Sequence, residues 1–467
     1  MRIAKKKINM LLSYLFMIFL IFIYIYSIRI YSFNKWIELF FLIVVIQMVF
    51  QIAIMIYMKV HFLSLSFIFL ILTYFFHFGQ LFILVLFPEF ENPIFNYILY
   101  YDHITVKNAL SFSLFVILFT GLGMLLSMSD YSNSLKESGG KKLFTLTSYQ
   151  LRKIAWVIIF VTFPIQVFLD FTKIIISFRE GYIATYFIGI PGFIGAIASI
   201  SFSGFILLLL SYKNKPKIAL KILIFIILYL IITMLIGNRG FQLIRIIMFL
   251  YVYNTAIAKI NVKKLILYSF LFYFLTVFLV SIATVRAFTD NRAAIFLETF
   301  LDNIMGNPLK ILFSELGGTI NTVCLTLQQV PQTRDHAYGL TYLASIFTIF
   351  PDVGDVFSDI NQFSKFQKNL VGSALGGSYI AELYYNFSIW GIVIATGFGI
   401  FINKISEKLH FYLTNELYLH FIYLTPLYFQ ILWWARDNFS SLLRPFIWNL
   451  LFVYLVKEFL NIKISSQ

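Results

Sequence analysis

Arg239 sits in a Gly237-Asn238-Arg239-Gly240 turn between two apolar runs, and Gln242 and Arg245 follow it into the second run. A guanidinium is a planar donor fork that stays charged, so it pairs bidentately with phosphate or carboxylate. A helix starting here would hold its free N–H groups and the positive end of its dipole at the turn, which favours an anion. The two glycines let backbone approach such a ligand closely. A glycine hairpin with one snorkelling arginine would use the same residues without chemistry. Arg245 resists that reading, because more than a turn inside an apolar run it would be costly against lipid and requires a polar cavity.

A second window runs from Gly372-Ser373-Ala374-Leu375-Gly376-Gly377 into Ser378-Tyr379-Ile380-Ala381-Glu382-Leu383-Tyr384-Tyr385-Asn386-Phe387. Ser378, Glu382 and Asn386 recur at helical spacing and form a polar stripe. An acid in that place serves as a base, as a partner for a sugar hydroxyl, or as the structural partner of an arginine. Further on, Gly391, Ala395 and Gly399 form a small-residue stripe suited to close helix packing. A third window, Arg436-Asp437-Asn438-Phe439-Ser440-Ser441-Leu442-Leu443-Arg444-Pro445, places a proline near the first turn of the last apolar run, with Arg444 beside it. Tyr338, Tyr342, Tyr384, Tyr385, Trp433 and Trp434 could stack on sugar faces or form an interfacial aromatic belt.

The elements that must position these residues are membrane spans. The 467 residues are 60% hydrophobic and 12% charged, with a mean hydropathy of +0.86, which no soluble core matches. About twelve apolar runs are each long enough, as helices, to cross a ~30 Å hydrocarbon layer. They cover roughly Met10 to Ile28, Trp36 to Met58, Phe62 to Phe87, Val106 to Met128, Ile154 to Phe171 and Ile190 to Tyr212. The remainder are Ile218 to Ile236, Phe241 to Ala258, Leu265 to Val285, Ser378 to Ile402, Tyr418 to Ala435 and Pro445 to Phe459. Residues 1–467 are therefore expected to form a single integral membrane domain, all-α and polytopic.

Lys5, Lys6 and Lys7 precede a run too long for a secretory signal, with no small-residue cleavage site after it, so it reads as a retained span with its lysines inside. Alternation from there puts both termini inside, together with nineteen of the twenty-five lysines. The lysines read as topology determinants and contacts for anionic lipid. Arginine does the reverse: nine of eleven fall outside or near the outer surface, only Arg2 and Arg152 being inside. Arg29 and Arg179 read as anchors; the rest point to an anionic ligand at the outer face, where nucleic acid is a poor candidate.

Residues 286–373 form a long outer loop with helical pieces at Ala293 to Met305 and Leu309 to Gln328, then a turn-rich stretch through Pro331, Gly339, Pro351 and Gly354. Its short helices are expected on or in the outer leaflet. Ser129 to Lys153 reads as a cytoplasmic linker, and no internal repeat is visible. Cys324 is alone and can form no internal disulfide. The six histidines lack metal-ligand spacing, and no phosphate-binding glycine loop precedes a lysine. Asp352, Asp355 and Asp359 share a helix-like spacing that suits a solvated loop face better than a divalent ion.

The Asn-Arg-Gly turn at mid-chain, the late outer loop, and Gly377-Ser378 with Ala381-Glu382-Leu383-Tyr384-Tyr385-Asn386-Phe387 and Gly391 resemble the Wzy-type O-antigen and capsule polysaccharide polymerases. Ser388 stands where that pattern carries a glycine. The resemblance implies a membrane-embedded, C-type-like glycosyltransferase that needs no metal and no other cofactor. Such enzymes join lipid-linked oligosaccharide repeat units at the periplasmic side, releasing the growing glycan from undecaprenyl pyrophosphate onto a sugar hydroxyl of the next unit. Fixed cations would then meet the charge of the departing pyrophosphate. Arg239 and Arg245 come first in that role, then Arg286, Arg292 and Arg444. Glu382 or His336 would orient or deprotonate the acceptor hydroxyl, and Tyr384, Tyr385 and Asn386 would contact glycan. The bilayer, a flippase and a chain-length regulator are the implied partners.

Two other classes share the anionic lipid. A flippase would place charge near mid-membrane and show repeated halves, whereas this chain gathers charge in its outer loops. An O-antigen ligase would use the same donor with a lipid A core acceptor, a choice the residues barely separate.

Overall fold

Backbone in hydrocarbon must satisfy its polar groups within its own segment, so long apolar runs become helices. In a computed structural model of the chain, the regular structure of the described residues is helical apart from a two-residue pairing of Phe144–Thr145 with Ser465–Ser466. It describes residues 2–87, 97–128, 144–180, 192–234, 239–259, 291–305, 316–350, 376–460 and short pieces between these.

The helices are, in order, α1 (Arg2–Ile28), α2 (Phe33–Tyr57), α3 (Leu65–Leu86), α4 (His103–Ser127), α5 (Ser148–Glu180), α6 (Gly192–Ser199), α7 (Ser201–Ser211) and α8 (Pro216–Thr233). There follow α9 (Arg239–Ala256), α10 (Arg292–Met305), α11 (Thr319–Gln329) and α12 (Leu340–Phe347). The last four are α13 (Tyr379–Phe387), α14 (Gly391–Thr414), α15 (Tyr418–Trp434) and α16 (Ser440–Phe459). Among the described residues, 8 helical stretches are long and apolar enough to cross a membrane.

Several boundaries differ from the sequence expectation. α5 runs 33 residues, because polar residues on both flanks of its apolar stretch continue the helix. The expected span from Ile190 is carried by α6 and α7, which meet at Ile200; that residue keeps helical dihedrals (φ −63°, ψ −23°), so Gly192–Ser211 is one stretch of 20 residues. The expected span from Ser378 is broken at Ser388–Trp390, where a single tight turn separates α13 from α14. α16 begins at Ser440, which puts Pro445 beyond the first turn rather than within it. Residues 286–373, expected as a long loop, carry α10, α11 and α12. The expected span Leu265 to Val285 lies mostly outside the described residues, as do Asp352, Asp355 and Asp359.

α4 and α14 run parallel at the centre of the helix bundle, in backbone contact. A Cβ on Gly399 would collide with the Thr120 carbonyl and stand 2.9 Å from the Met124 nitrogen; one on Gly123 would collide with the Thr396 carbonyl. The stripe of Gly391, Ala395 and Gly399 is buried, and it lets these backbones touch. α1 to α4 are tied by polar side chains in an apolar setting. Tyr14 donates to the Leu118 carbonyl at 2.6 Å, Tyr74 to Gln51 at 2.7 Å, and Gln47 to the Leu114 carbonyl at 3.1 Å. Lys7 donates to the Met128 carbonyl at 2.6 Å, so the start of α1 and the end of α4 share one end of the bundle. At the opposite end, Asp102 caps α4 by accepting from the backbone of Ile104 and Thr105.

Candidate functional site

At the end of the bundle opposite Lys7, three stretches far apart in sequence meet. Gly240, in the first turn of α9, faces the Trp433 ring and the Arg436 guanidinium: a Cβ there would stand 3.2 Å from the ring and 3.9 Å from Nη1. Gly376 faces the same arginine from the other side, its Cβ position being 3.6 Å from the Arg436 carbonyl and 4.0 Å from Nη2. Gly377 is pressed against Asn438, where a side chain would collide with Oδ1 and stand 2.8 Å from the backbone nitrogen. Arg436 lies over the rings of Phe76 and Trp433, each 5.3 Å from its central carbon. Two glycine-bearing segments and one arginine thus surround a common point, at the positive end of α9.

Arg239 is the first residue of α9, and its side chain lies outside the described residues. Arg245 is nearly two turns further on and 6% exposed. Its guanidinium rests 3.9 Å from the centre of the Phe202 ring and 4.4 Å from that of Phe241, and donates to Gln242 at 2.9 Å. It lines a cavity with Ser203, Phe429, Gln430, Pro445 and Asn449. Such a sandwich holds a cation by its faces and leaves the edge of the fork for a ligand.

Ser378 caps α13 by accepting from the backbone of Ile380 and Ala381. Its hydroxyl is 2.8 Å from His77 Nε2, and His77 Nδ1 is 2.9 Å from the Thr73 carbonyl. The carbonyl can only accept, so Nδ1 carries the proton, Nε2 accepts from Ser378, and the serine lone pairs are left for the helix.

Glu382 is 1% exposed. Its two oxygens accept from the Thr341 hydroxyl at 2.9 Å and from the Phe439 N–H at 2.8 Å. Among the described residues it makes no ion pair with arginine. Asn386, fully buried, donates to Thr341 and to the Glu382 carbonyl, each at 2.8 Å, and accepts from the Gly339 N–H at 3.0 Å. The polar stripe on α13 therefore faces protein, holding α12 on one side and the start of α16 on the other. Burial and then the charge of Glu382 push the Tyr342 hydroxyl well above its ordinary range, so it stays protonated.

His336 is half-buried. Its Nδ1 lies 3.3 Å from the Tyr385 carbonyl, which leaves Nε2 as the nitrogen with the free lone pair. The Tyr384 ring packs edge-on against it at 5.7 Å. Arg334 lies 5.7 Å over the Tyr385 ring, and Tyr338 is 78% exposed beside them. Tyr385 itself is buried and Tyr384 half-buried, so the surface here is formed by Tyr338, His336 and Arg334.

Arg444 donates from Nε to the Thr348 carbonyl at 2.6 Å, and its fork fills the space over Gly192. It ties α16 to the end of α12. Arg286 lies outside the described residues, and of Arg292 only the backbone is described. Among the described residues no cluster of three acids, histidines or cysteines could hold a metal, and Cys324 is buried.

Three residues of this region carry no role in the sequence reading, Thr341, His77 and Asp170, while Arg436 is read there only as the start of its window and one of the outer arginines. Asp170 and His77 stand out as ionisable groups inside apolar runs, a signal readable from sequence. Thr341 has no such mark, since its partner is 41 residues away.

No curated protein and no solved structure gives a significant match to the chain. The family model for O-antigen polysaccharide polymerase Wzy matches residues 10–463, nearly the whole chain, and an all-helical membrane protein with this matched length belongs to that family.

Proposed function

We propose that this chain polymerises undecaprenyl-pyrophosphate-linked oligosaccharide repeat units at the periplasmic face of the inner membrane, with both termini in the cytoplasm. The convergence of Gly240 and Gly376 on Arg436, beside an aromatic-clamped Arg245, carries the reading. An acceptor hydroxyl oxygen attacks the anomeric carbon of the growing glycan. The bond from that carbon to the pyrophosphate oxygen breaks, and the electron pair leaves with the lipid pyrophosphate. Arg239, Arg245 and Arg436 meet that charge, and backbone N–H groups at the start of α9 add to it.

Arg286 and Arg292 belong to the same cationic set by their place in sequence. Arg444 serves it by fixing the end of α12 against α16. The hydroxyl proton goes to His336 Nε2, whose tautomer the Tyr385 carbonyl sets. Glu382 and Asn386 hold α12 and the adjoining Gly339 turn in place for this step. Tyr384 and Tyr385 back the exposed glycan surface at Tyr338. A flippase supplies the lipid-linked units, and a chain-length regulator is the natural partner.

The test is a deletion strain: surface glycan should collapse from a ladder to a single capped repeat unit, whereas complete loss would favour a flippase or ligase. Arg239→Ala and Arg245→Ala should abolish the ladder with protein retained in the membrane, and normal ladders from both would sink the proposal.

A further inference from the structure

The cavity beside Arg245 of α9 takes its other polar lining from further helices: Ser203 on α7, Gln430 on α15 and Asn449 on α16. About 330 Å³ there is unfilled by protein atoms, part of it open to solvent. Asn449 is 1% exposed, and its Nδ2 donates to the Ile422 carbonyl of α15 at 2.9 Å. A carbonyl can only accept, so that bond fixes which end of the amide is nitrogen. Asn449 Oδ1 is left as a buried acceptor with no hydrogen-bond partner among the described residues. Such an atom costs stability unless a donor reaches it, and the surrounding protein supplies none.

A phosphate held by Arg245 does not meet this need, because its ionised oxygens only accept. The donor has to come from the sugar attached to it. Covalent geometry keeps two groups of that sugar nearest the phosphate: the ring oxygen, again an acceptor, and the substituent on the carbon next to the anomeric carbon. We infer that Asn449 is a specificity-determining residue, accepting a hydrogen bond from a hydroxyl or acylamino N–H on that carbon. The cavity thereby selects lipid-linked repeat units by the sugar at their reducing end. Arg245 takes the phosphate oxygens and Asn449 the adjoining donor, while Phe241, Phe429 and Pro445 supply apolar wall. A repeat unit without that donor would leave the buried Oδ1 unpaired, the kind of mismatch by which a polar site rejects an analogue. This rests on reading Arg245 as a residue for the carrier's pyrophosphate. It adds that the same cavity reads the first sugar.

The experiment is calorimetric titration of the full chain in lipid nanodiscs with four probes: inorganic phosphate, glucose 1-phosphate, N-acetylglucosamine 1-phosphate and 2-deoxyglucose 1-phosphate. The last lacks the donor. Wild type should bind the better of the first two sugar phosphates about tenfold more tightly than the deoxy sugar. Which of them it is distinguishes a hydroxyl from an acylamino N–H. In Asn449→Leu that preference should vanish, with the Kd for inorganic phosphate unchanged. Equal binding of the three sugar phosphates by wild type, or a preference that survives in Asn449→Leu, overturns the inference. If Asn449→Leu is not recovered from membranes, its lost bond to Ile422 accounts for that, and the wild-type preference decides. Arg245→Gln that binds inorganic phosphate as wild type does would remove the reading of Arg245 itself. Weakened phosphate binding there, with the preference intact in Asn449→Leu, would remove only the role of Asn449.

Discussion

The carboxylate of Glu382 accepts the backbone N–H of Phe439 at 2.8 Å across 57 residues of sequence, and its other oxygen accepts the hydroxyl of Thr341. One buried side chain therefore fixes the start of the last helix and the short helix of the long loop to the same turn of α13. The elements that carry Arg436, Arg444 and His336 are registered through it.

Both donors at Glu382 require an acceptor. Glutamine can satisfy one of them and presents an N–H₂ to the other, while alanine satisfies neither. Each lost charge-assisted bond costs about 1.5–3 kcal/mol. Thermal unfolding in detergent should rank wild type above Glu382→Gln, and Glu382→Gln above Glu382→Ala, with ladder intensity following the same order. Glu382→Gln with wild-type stability and no ladder would show instead that the carboxylate acts on the acceptor hydroxyl itself.

Arg436 combines two ring contacts with a fork facing two glycines, and lysine reproduces only the charge. Arg436→Lys should shorten the ladder, and Arg436→Ala should abolish it at normal protein level in the membrane. A full ladder from Arg436→Ala would remove this residue from the site.

His336 is half-buried and holds its place through one long bond to the Tyr385 carbonyl, so its loss should scarcely affect folding. A general base contributes about 10²–10⁴-fold to turnover. His336→Ala should lower incorporation of labelled repeat units by at least about 100-fold, with an unfolding temperature within a degree or two of wild type. A loss of activity accompanied by equal destabilisation would make His336 structural.

The first helices were legible because apolar length alone sets them: α2, α3 and α4 begin within three residues of where the apolar runs suggest. The break at Ser388 was not, since the residues on either side are equally apolar and no proline marks the place. In the site, the glycine turn before α9 and the stripe of Ser378, Glu382 and Asn386 were visible as patterns. Their direction was not. Periodicity shows that three polar residues share a face, but the partners that bury that face, Thr341, Gly339, His77 and Phe439, come from other elements. Asp170 was visible as an acid in an apolar run, and only packing gave it Gln166 and Tyr229.

Ser388 adopts φ 52° and ψ −139°, a region that glycine occupies freely and other residues do not. It ends α13 at the turn into α14, so the strain sits at a required corner. Ser388→Gly should raise stability by about 1 kcal/mol, and Ser388→Val should lower it by more. Unfolding temperatures of the two variants in the same detergent check this; a glycine variant less stable than wild type would mean that the hydroxyl matters more than the backbone.

Gly399 and Gly397 lie two residues apart on α14 and face opposite demands. A Cβ at Gly399 would collide with the Thr120 carbonyl, whereas nothing lies within 4 Å of a Cβ at Gly397. Both gain helix propensity on mutation to alanine, worth about 1 kcal/mol. At Gly399 that gain is overwhelmed, because α4 and α14 must separate along a shared backbone contact and overpacking of this kind costs about 1–3 kcal/mol or more. Gly399→Ala should therefore reduce the amount of folded protein in the membrane and weaken the ladder with it, while Gly397→Ala should leave both intact or slightly raised. Since α14 follows directly from the helix bearing Glu382, a partly folded Gly399→Ala protein should also lose activity per molecule. Equal behaviour of the two variants would mean that α4 and α14 are not in backbone contact, and the placement of α13 would then need another support.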